Sequence, residues 1–492
     1  MNHIERLLRS LKRSDVRTGA FVLALLTCTS AGASPWLEVG DAQQRSDVEV
    51  LNASGALHGI TTQWPLPWRD VTGSVGDLTD NANSQVAAAA RRLDAQTQSL
   101  DRNSYSLSMD VDSTPSFVRG FDAMGREKFQ GQISAEFVGG TTAVRISAGA
   151  QVKQWNQRAD LLLDGSYIAQ KVGPVLLYAG SISHWWGPGW FSALSLSNNA
   201  RPFPQIGIER ISTTPFKSPW LSWIGPWQAE FFVGVLDGPR VARNTVYDGL
   251  RITISPLPGL ELGIARTDEM CGTGHPCQPF VQYFDFQNDP TNTNKVNDEG
   301  LFDIKYSNRL FGLPFEIYGQ VMNEDNNPIN HSGTSHLVGG SIWPQFGDWT
   351  ARLTAEYTSS IPTLNIFSGP DQHGFAYNNF QYADGMRYRG RTLGFSLDSD
   401  SRLSSIQLSL TAPNSFNYSL TYHHAIVSTP QAAALGANIL TTSPVTINLA
   451  EARITMPFSG ATVELAGRYQ DDQLRPKTGS LFSFEAALTF RR

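Results

Sequence analysis

Apolar and polar residues alternate with a period of two in segment after segment from Tyr105 to the C-terminus, and this pattern most limits the possible folds. In VRISAGAQVK, residues 144–153, the apolar side chains fall on one face and the charged ones on the other. The period recurs in YSLSMDV (105–111), LRITI (250–254), ARLTAEY (351–357), IQLSL (406–410) and TVELAGRY (462–469). Successive residues of a strand point to opposite faces of its sheet, so the pattern predicts an all-β region over residues 104–492.

The choice between a soluble sandwich and a membrane barrel depends on the whole set of segments, because one alternating strand fits both. The chain ends in SLFSFEAALTFRR, residues 480–492, where Phe482, Phe484 and Phe490 share a face. This ending resembles the closing strand of outer-membrane barrels, although two Arg follow the terminal Phe. Residues 34–492 contain no apolar run of about 18 residues, which excludes membrane-spanning helices.

The connections between the segments alternate short and long, as a barrel with tight periplasmic turns and extended outer loops requires. If the first strand rises from the periplasm near Tyr105, the short connections lie at 138–142, 171–174, 255–260, 307–314, 343–349, 412–415 and 458–461. The long connections then lie outside, at 112–127, 270–299, 323–335, 359–402, 426–449 and 471–479. The count predicts a transmembrane barrel of about 18 antiparallel strands with the C-terminus in the periplasm.

The N-terminal part of the chain is organised differently. Residues 1–33 have a basic start, the short apolar run AFVLALL and an Ala31-Gly32-Ala33 cleavage site, which predicts a signal peptide. Residues 34–103 contain two segments with helical character, 40–55 and 83–94, separated by TTQWPLPWRD, whose prolines prevent a helix. We expect a small helical domain at the periplasmic mouth of the barrel, and the alternative is a disordered linker.

Composition excludes several classes of function. Charged residues make up 17% of the chain and the net charge is −6, with no basic stripe for nucleic acid. No hydrolase, zinc-protease or nucleotide-binding motif occurs, so we predict neither an enzyme nor a cofactor or metal site. Cys271 and Cys277, in CGTGHPC, predict a disulfide worth roughly 2 kcal/mol. A metal site that includes His275 has too few ligands to compete with this interpretation.

Residues 184–204, HWWGPGWFSALSLSNNARPFP, have neither helical nor strand periodicity. The strand count places them at or above the extracellular rim, where an aromatic girdle facing lipid would explain the tryptophans. Aromatic faces beside amide and guanidinium groups also suit a sugar-binding surface. The loop at 365–391 is similarly rich in aromatic residues. The candidate polysaccharide-binding residues are Trp185, Trp186, Trp190, Asn198, Asn199, Arg201, Tyr382, Arg387 and Tyr388.

Four motifs carry a family resemblance: WPLPW (64–68), WWGPGW (185–190), LSLSNNARPFP (194–204) and YADGMRYRGRTLGFSLDSDSR (382–402). Together they resemble the Wzi-type capsule assembly proteins of Gram-negative outer membranes. The resemblance implies an 18-stranded barrel with a helical periplasmic domain, acting as a surface lectin that helps anchor capsular or related polysaccharide. Its expected partners are polysaccharide, outer-membrane lipid and, through the periplasmic helices, polysaccharide export machinery.

The main alternative function is a porin or polysaccharide channel. A barrel of this strand number can enclose a water-filled lumen, and the inward ladder predicted here is polar, with charges such as Arg145, Glu230 and Arg468. A lectin predicts aromatic outer loops and a blocked lumen, whereas a porin predicts a charged constriction and ion conductance. The aromatic loop at 365–391 and the predicted disulfide favour binding.

Overall fold

A computed structural model describes residues 34–57, 59–67, 84–152, 159–277, 296–324, 333–365 and 368–492. The predicted signal peptide, residues 1–33, and Trp68 of the WPLPW motif lie outside these residues. Among the described residues, no helix is both long enough and apolar enough to cross a membrane.

Within the described ranges the strands form one closed barrel of 18 antiparallel strands, in agreement with the predicted count of about 18. Neighbours in the chain are neighbours in the sheet, and the last strand pairs with the first, with Arg491 opposite Ser106. The strands are β1 Ser104–Asp112, β2 Phe129–Val138, β3 Thr142–Val152, β4 Ala159–Leu162 with Tyr167–Val172, β5 Val175–Gly180, β6 Gln205–Arg210, β7 Trp227–Leu236, β8 Thr245–Leu257, β9 Leu260–Met270, β10 Asn297–Leu310, β11 Leu313–Glu324, β12 Thr334–Ile342, β13 Trp349–Asn365, β14 Arg402–Thr411, β15 Asn417–Val427, β16 Val445–Phe458, β17 Ala461–Gln470 and β18 Leu481–Arg491.

The outer surface of the barrel is apolar, and the lumen side carries most of the polar and charged side chains of the strands. Ile146 of β3 and Phe484 of β18 are exposed on the outer surface, whereas Gln151 and Arg468 are buried inside. The arrangement is the reverse of a soluble protein, because a lipid-facing surface must be apolar and the lumen can hold polar groups. The predicted assignment of faces is therefore confirmed.

Connection length divides the barrel into a short-turn end and a long-loop end, as predicted. The β10–β11 turn at the short-turn end has two residues, Phe311 and Gly312, whereas β13 and β14 are joined across residues 366–401 at the long-loop end. One longer connection, residues 211–226, lies at the short-turn end and contains a 3₁₀ turn, Ser222–Ile224. It exposes Trp220 and Trp223, as a girdle of interfacial aromatic residues would.

The two helices predicted in the N-terminal segment are present. Helix α1, Ala42–Ala53, begins after Asp41, whose side chain accepts a hydrogen bond from the Gln44 amide at 2.8 Å. Helix α2, Ser84–Leu100, packs against α1. A third helix, α3, Pro430–Leu435, lies in the β15–β16 loop.

The N-terminal segment lies at the short-turn end, which is the end predicted to be the periplasmic mouth. Helix α1 packs there against the inner sides of β10 and β11, and the extent of the helical domain, residues 34–103, stays a prediction. The buried ammonium of Lys305 on β10 contacts Glu49 of α1 and lies 3.4 Å from Glu316 on β11. A buried charge requires partners of opposite charge, and Glu49 of the helix joins Glu316 of the barrel wall in supplying them.

Three short antiparallel ladders complete the interior. Trp36–Leu37 pairs with Leu66–Pro67, and Gln63–Trp64 pairs with Trp185–Trp186. The third ladder joins Arg387–Tyr388 to Arg391–Thr392 within the β13–β14 loop. The N-terminal segment and the long loops are thus joined by backbone hydrogen bonds inside the barrel.

Candidate functional site

The Trp-rich segment does not lie at the rim. Residues 181–204, here called the inward loop, connect β5 to β6 and fold down into the lumen. Trp185 and Trp186 are 0% exposed. A barrel of 18 strands encloses a wide lumen, and these indoles bury their apolar surface by packing inside it. The expected rim position is therefore wrong, as is the lipid-facing girdle alternative for these tryptophans.

The two glycines of WWGPGW allow the loop to pack this closely. Gly187 has a φ of 136°, and a Cβ added to it would lie 2.4 Å from Nε2 of Gln320 on β11. At Gly189 an added Cβ would lie 2.2 Å from the carbonyl oxygen of Ser192. Both distances are shorter than real Cβ contacts, so a larger residue at either position would force its neighbours to move. The two glycines therefore allow the close packing of this motif inside the lumen.

Trp190 is held by charged groups on several elements. Its Nε1 donates to Glu316 at 2.7 Å, and its backbone amide donates to Glu356 on β13 at 2.6 Å. The guanidinium of Arg45 on α1 lies 4.2 Å from its ring centroid, and that of Arg352 on β13 lies 3.6 Å from it. The ring is already engaged by two cations and offers no free face to a sugar.

The polar residues of the inward loop connect it to other loops. Asn198 Nδ2 donates to the Phe121 carbonyl at 2.8 Å, and Asn199 Nδ2 donates to the Thr392 carbonyl at 2.9 Å. Arg201 pairs with Asp164, in the break of β4, at 2.7 Å. These three side chains therefore fasten the inward loop to three separate parts of the long-loop end.

The predicted residues of the β13–β14 loop have similar roles. The Tyr382 hydroxyl donates to the Cys271 carbonyl at 3.1 Å. The His275 ring stacks on the Tyr382 ring, with 4.3 Å between the ring centroids. Arg387 pairs with Asp398 at 2.8 Å, and the Tyr388 hydroxyl donates to Asp237. Burial raises the pKa of Tyr382 and of Tyr388, so both hydroxyls stay protonated donors.

The structure thus brings the candidate residues together, but they form part of the buried interior of the barrel rather than an exposed surface. Trp185, Trp186, Trp190, Asn198, Asn199, Tyr382, Arg387 and Tyr388 are buried, and Arg201 is nearly so. A disulfide joins Cys271 to Cys277 and closes the short loop that carries His275. Direct contact of the nine candidates with sugar stays a prediction, and this conformation exposes none of their rings.

The exposed aromatic surface lies nearby, on residues that sequence reasoning did not select. Residues 375–381, here called the outer turn, expose Phe375 (52%) and Phe380 (77%). The amide side chains of Asn378, Asn379 and Gln381 are partly exposed beside them. The high aromatic content of the loop was visible in the sequence, but not which rings turn outward.

Two buried tyrosines fix the outer turn from either side. The Tyr377 amide donates to Glu324 on β11 at 2.6 Å, and its hydroxyl donates to the Leu194 carbonyl of the inward loop at 2.6 Å. Tyr382 holds the other side through Cys271. The outer turn is therefore a preorganised surface supported by the inward loop, which reduces the ordering cost of binding.

Comparison with known proteins agrees with this architecture. The family model described as "Capsule assembly protein Wzi" matches residues 101–476. An uncharacterized 55.8 kDa protein from the cps region of Klebsiella pneumoniae is 27% identical over 340 residues, which is 65% of this chain and 64% of that protein. The chain thus matches slightly less than two thirds of the length of this relative.

Among solved structures, the outer membrane protein Wzi of Escherichia coli superimposes with a TM-score of 0.80 at 20% identity, covering 92% of this chain and 99% of that one. That protein is described as involved in group 1 capsule assembly and as a carbohydrate-binding β-barrel. OprD of Pseudomonas aeruginosa reaches a TM-score of 0.44 at 10% identity, covering 80% of this chain and 94% of that one.

Proposed function

The chain belongs to the capsule assembly protein Wzi family, and on that premise we propose that its long-loop end binds a surface polysaccharide and holds it at the cell. It is an outer-membrane β-barrel with a role in capsule assembly. In the proposal, residues 1–33 direct export, the short-turn end and the C-terminus face the periplasm, and the long loops face outward. The E. coli relative, which binds carbohydrate, supports the ligand class.

The observation that carries the proposal is the partly filled lumen. Arg45 of α1, which belongs to the N-terminal segment, donates to the carbonyls of Pro188 and Gly189 in the inward loop at 2.7 and 2.8 Å. The two segments therefore meet inside the barrel. The long loops therefore lie over an interior that is partly occupied by the N-terminal segment and the inward loop, which suits binding better than passage.

The outer turn has the chemistry for this binding. Exposed rings such as Phe375 and Phe380 can stack on the apolar faces of pyranose rings. The Asn379 side chain is held by its Oδ1, which accepts from the Gln381 and Tyr382 amides, and this leaves its Nδ2 to donate to a neighbouring sugar hydroxyl. A rigid aromatic surface with polar groups beside it is therefore the proposed contact for neutral parts of the polymer.

The direct test is binding of the host's own surface polysaccharide to the purified protein. Phe375→Ala with Phe380→Ala should weaken binding about 30-fold, since each substitution removes a stacking contact worth on the order of 1 kcal/mol. Phe311→Ala is the matched control, because Phe311 is fully exposed at the short-turn end. Equal binding by both variants and the parent would remove the outer turn from the proposal.

A channel is the second candidate, and two cavities in the lumen are the observation that favours it. A cavity of about 540 Å³ beside α1 and α2 shares Asp122, Gln407 and Arg453 with a smaller cavity of about 30 Å³. Arg453 lies 3.4 Å from Asp122 where the cavities meet. Planar-bilayer recordings should show little current if the protein is a closed binding barrel. A steady open current that added polysaccharide does not alter would make the protein a porin.

The proposal includes two further partners. The outward apolar belt, with Trp220 and Trp223 near one edge, suits outer-membrane lipid. The exposed side of α2, with Arg91 and Gln98, is the proposed contact for polysaccharide export machinery. Photo-crosslinking from either position in cells should capture an export component, and crosslinks to bulk periplasmic proteins alone would argue against it.

A further inference from the structure

Four arginines from three loops converge at the long-loop end. Arg119 and Arg126 belong to the β1–β2 loop, Arg201 to the inward loop and Arg391 to the β13–β14 loop. We call them the arginine cluster. Asp164 connects two of them, since it pairs with Arg201 at 2.7 Å and lies 4.0 Å from Arg126.

Arg391 is linked to Arg126 through the backbone, and Arg119 lies close enough to both for their charges to act on it. Arg391 donates to the Arg126 carbonyl at 2.5 Å and lies 3.6 Å from Glu127. Arg126 itself donates to the carbonyls of Asn198 and Asn199 at 3.0 and 3.3 Å. The four guanidiniums thus form one group, held in place by the loop backbones.

The charges in this group do not balance. Within 4.0 Å of the cluster, ion pairs among the described residues involve two carboxylates, Asp164 and Glu127, against four guanidiniums. Arg119, which is 3% exposed, donates to the Met124 and Gly125 carbonyls at 2.8 Å. The carbonyl oxygens accept from its Nη1 and Nη2 groups but do not neutralise its charge, and the carboxylates whose charges act on it, Glu485 and Asp110, form no ion pair with it among the described residues.

Two donors in the cluster remain open. Nε of Arg119 and Nη1 of Arg201 are buried and have no hydrogen-bond partner. Burial and the neighbouring charges of Arg126 and Arg391 lower the pKa of Arg119 well below its usual range. Burial also lowers the pKa of Arg126, to about 10, although Asp164 opposes the shift. An added anion would relieve this repulsion and use the open donors.

We propose that the arginine cluster binds the carboxylate of an acidic sugar residue in the retained polysaccharide. This inference rests on the proposed function and names its substrate class as an anionic polymer. A carboxylate matches the planar fork of a guanidinium in a bidentate pair. Arg391 is 24% exposed, so the cluster is reachable from the outer surface. In this arrangement the outer turn contacts the neutral faces of the sugars, and the arginine cluster favours polymers that carry carboxylates.

The test compares two polymers on the intact protein. The host's polysaccharide is used as isolated and after chemical reduction of its carboxylates to alcohols, which removes charge and keeps the chain. We expect the acidic polymer to bind at least 10-fold more tightly and to lose this advantage as salt is raised. Arg126→Gln with Arg391→Gln should abolish the preference, measured as the ratio of the affinities of one variant for the two polymers.

Arg475→Gln is the matched control. Arg475 also lies in a long loop, and its replacement by Gln removes one positive charge. It pairs with Asp472 within its own loop at 2.8 Å and is not part of the arginine cluster. Its variant should keep the preference for the acidic polymer. Folding is checked by heat-resistant migration on a gel. If the double Gln variant fails to fold, Arg126→Lys with Arg391→Lys replaces it, and this pair should reduce the preference, because an ammonium cannot form the bidentate pair.

The outcomes separate this inference from the proposed function. Equal affinity of the parent protein for both polymers overturns the carboxylate site and leaves polysaccharide binding intact. An unchanged preference in both double variants also overturns it. Binding of neither polymer by the parent protein contradicts the proposed function itself.

Discussion

Trp185 of the inward loop lies opposite Trp64 of the N-terminal segment in a two-residue antiparallel ladder. The pair joins WWGPGW to WPLPW, two motifs separated by more than one hundred residues in the chain. One enters the lumen from the long-loop end and the other belongs to the segment packed against β10 and β11. Their contact makes the interior of the barrel one packed unit, and four predictions follow from it or from the loops it supports.

Trp185→Ala with Trp186→Ala should loosen the packing inside the lumen without unfolding the barrel. Each substitution removes a fully buried indole, at a cost of roughly 3–5 kcal/mol in local packing. Hydrogen exchange should speed up in residues 61–67 and 184–204, and polysaccharide retention should fall as the outer turn loses support. Trp220→Ala, at an exposed position, should change neither. If the variant no longer migrated as a heat-resistant barrel on a gel, these tryptophans would be needed for the stability of the strands and not only for the position of the inward loop.

Arg45→Ala should allow current through the barrel. The guanidinium satisfies two carbonyls of the inward loop, and leaving them unpaired costs about 1–3 kcal/mol each. Bilayer recordings should then show brief openings that the parent protein lacks. Arg91→Ala, on the exposed side of α2, is the control and should stay silent. A silent Arg45 variant would mean that other contacts suffice to keep α1 in place.

Lys305→Met should destabilise docking of α1 by roughly 3–5 kcal/mol, because it leaves buried carboxylates without their cation. Lys305 contacts Glu49 and lies 3.4 and 3.8 Å from Glu316 and Glu261. Adding Glu49→Gln should recover part of the loss. Urea titrations followed by tryptophan fluorescence, run as a double-mutant cycle, measure the coupling. Strictly additive effects would argue against a direct Lys305–Glu49 interaction.

Replacing Cys271 and Cys277 by Ser should weaken polysaccharide binding a few-fold and leave the barrel intact. The disulfide limits the loop that places His275 on Tyr382, a constraint worth roughly 2 kcal/mol. Tyr382→Phe isolates the hydrogen bond to the Cys271 carbonyl and should have a smaller effect. Binding that is insensitive to reduction would separate this loop from the outer turn.

Local signals in the sequence determined most of the scaffold. The alternation around Ile146 and Gln151 predicts which face meets lipid, because side-chain direction in a strand follows from position alone. Connection lengths predict the two ends of the barrel, and the segments at 40–55 and 83–94 predict α1 and α2. The pairing of Cys271 with Cys277 also needed only their spacing. Each of these features depends on neighbours in the chain.

Tertiary structure alone decided where the loops go. Trp185 and Trp190 gain from burial in a lumen as they would at a lipid interface, so composition does not distinguish the two positions. Arg45 and Trp190 meet only because the N-terminal segment enters the barrel. The arginine cluster likewise gathers Arg119, Arg201 and Arg391 from separate loops. The charge balance of the cluster and the exposure of each ring depend on residues that are distant in the sequence but close in space. A local sequence pattern therefore does not predict them.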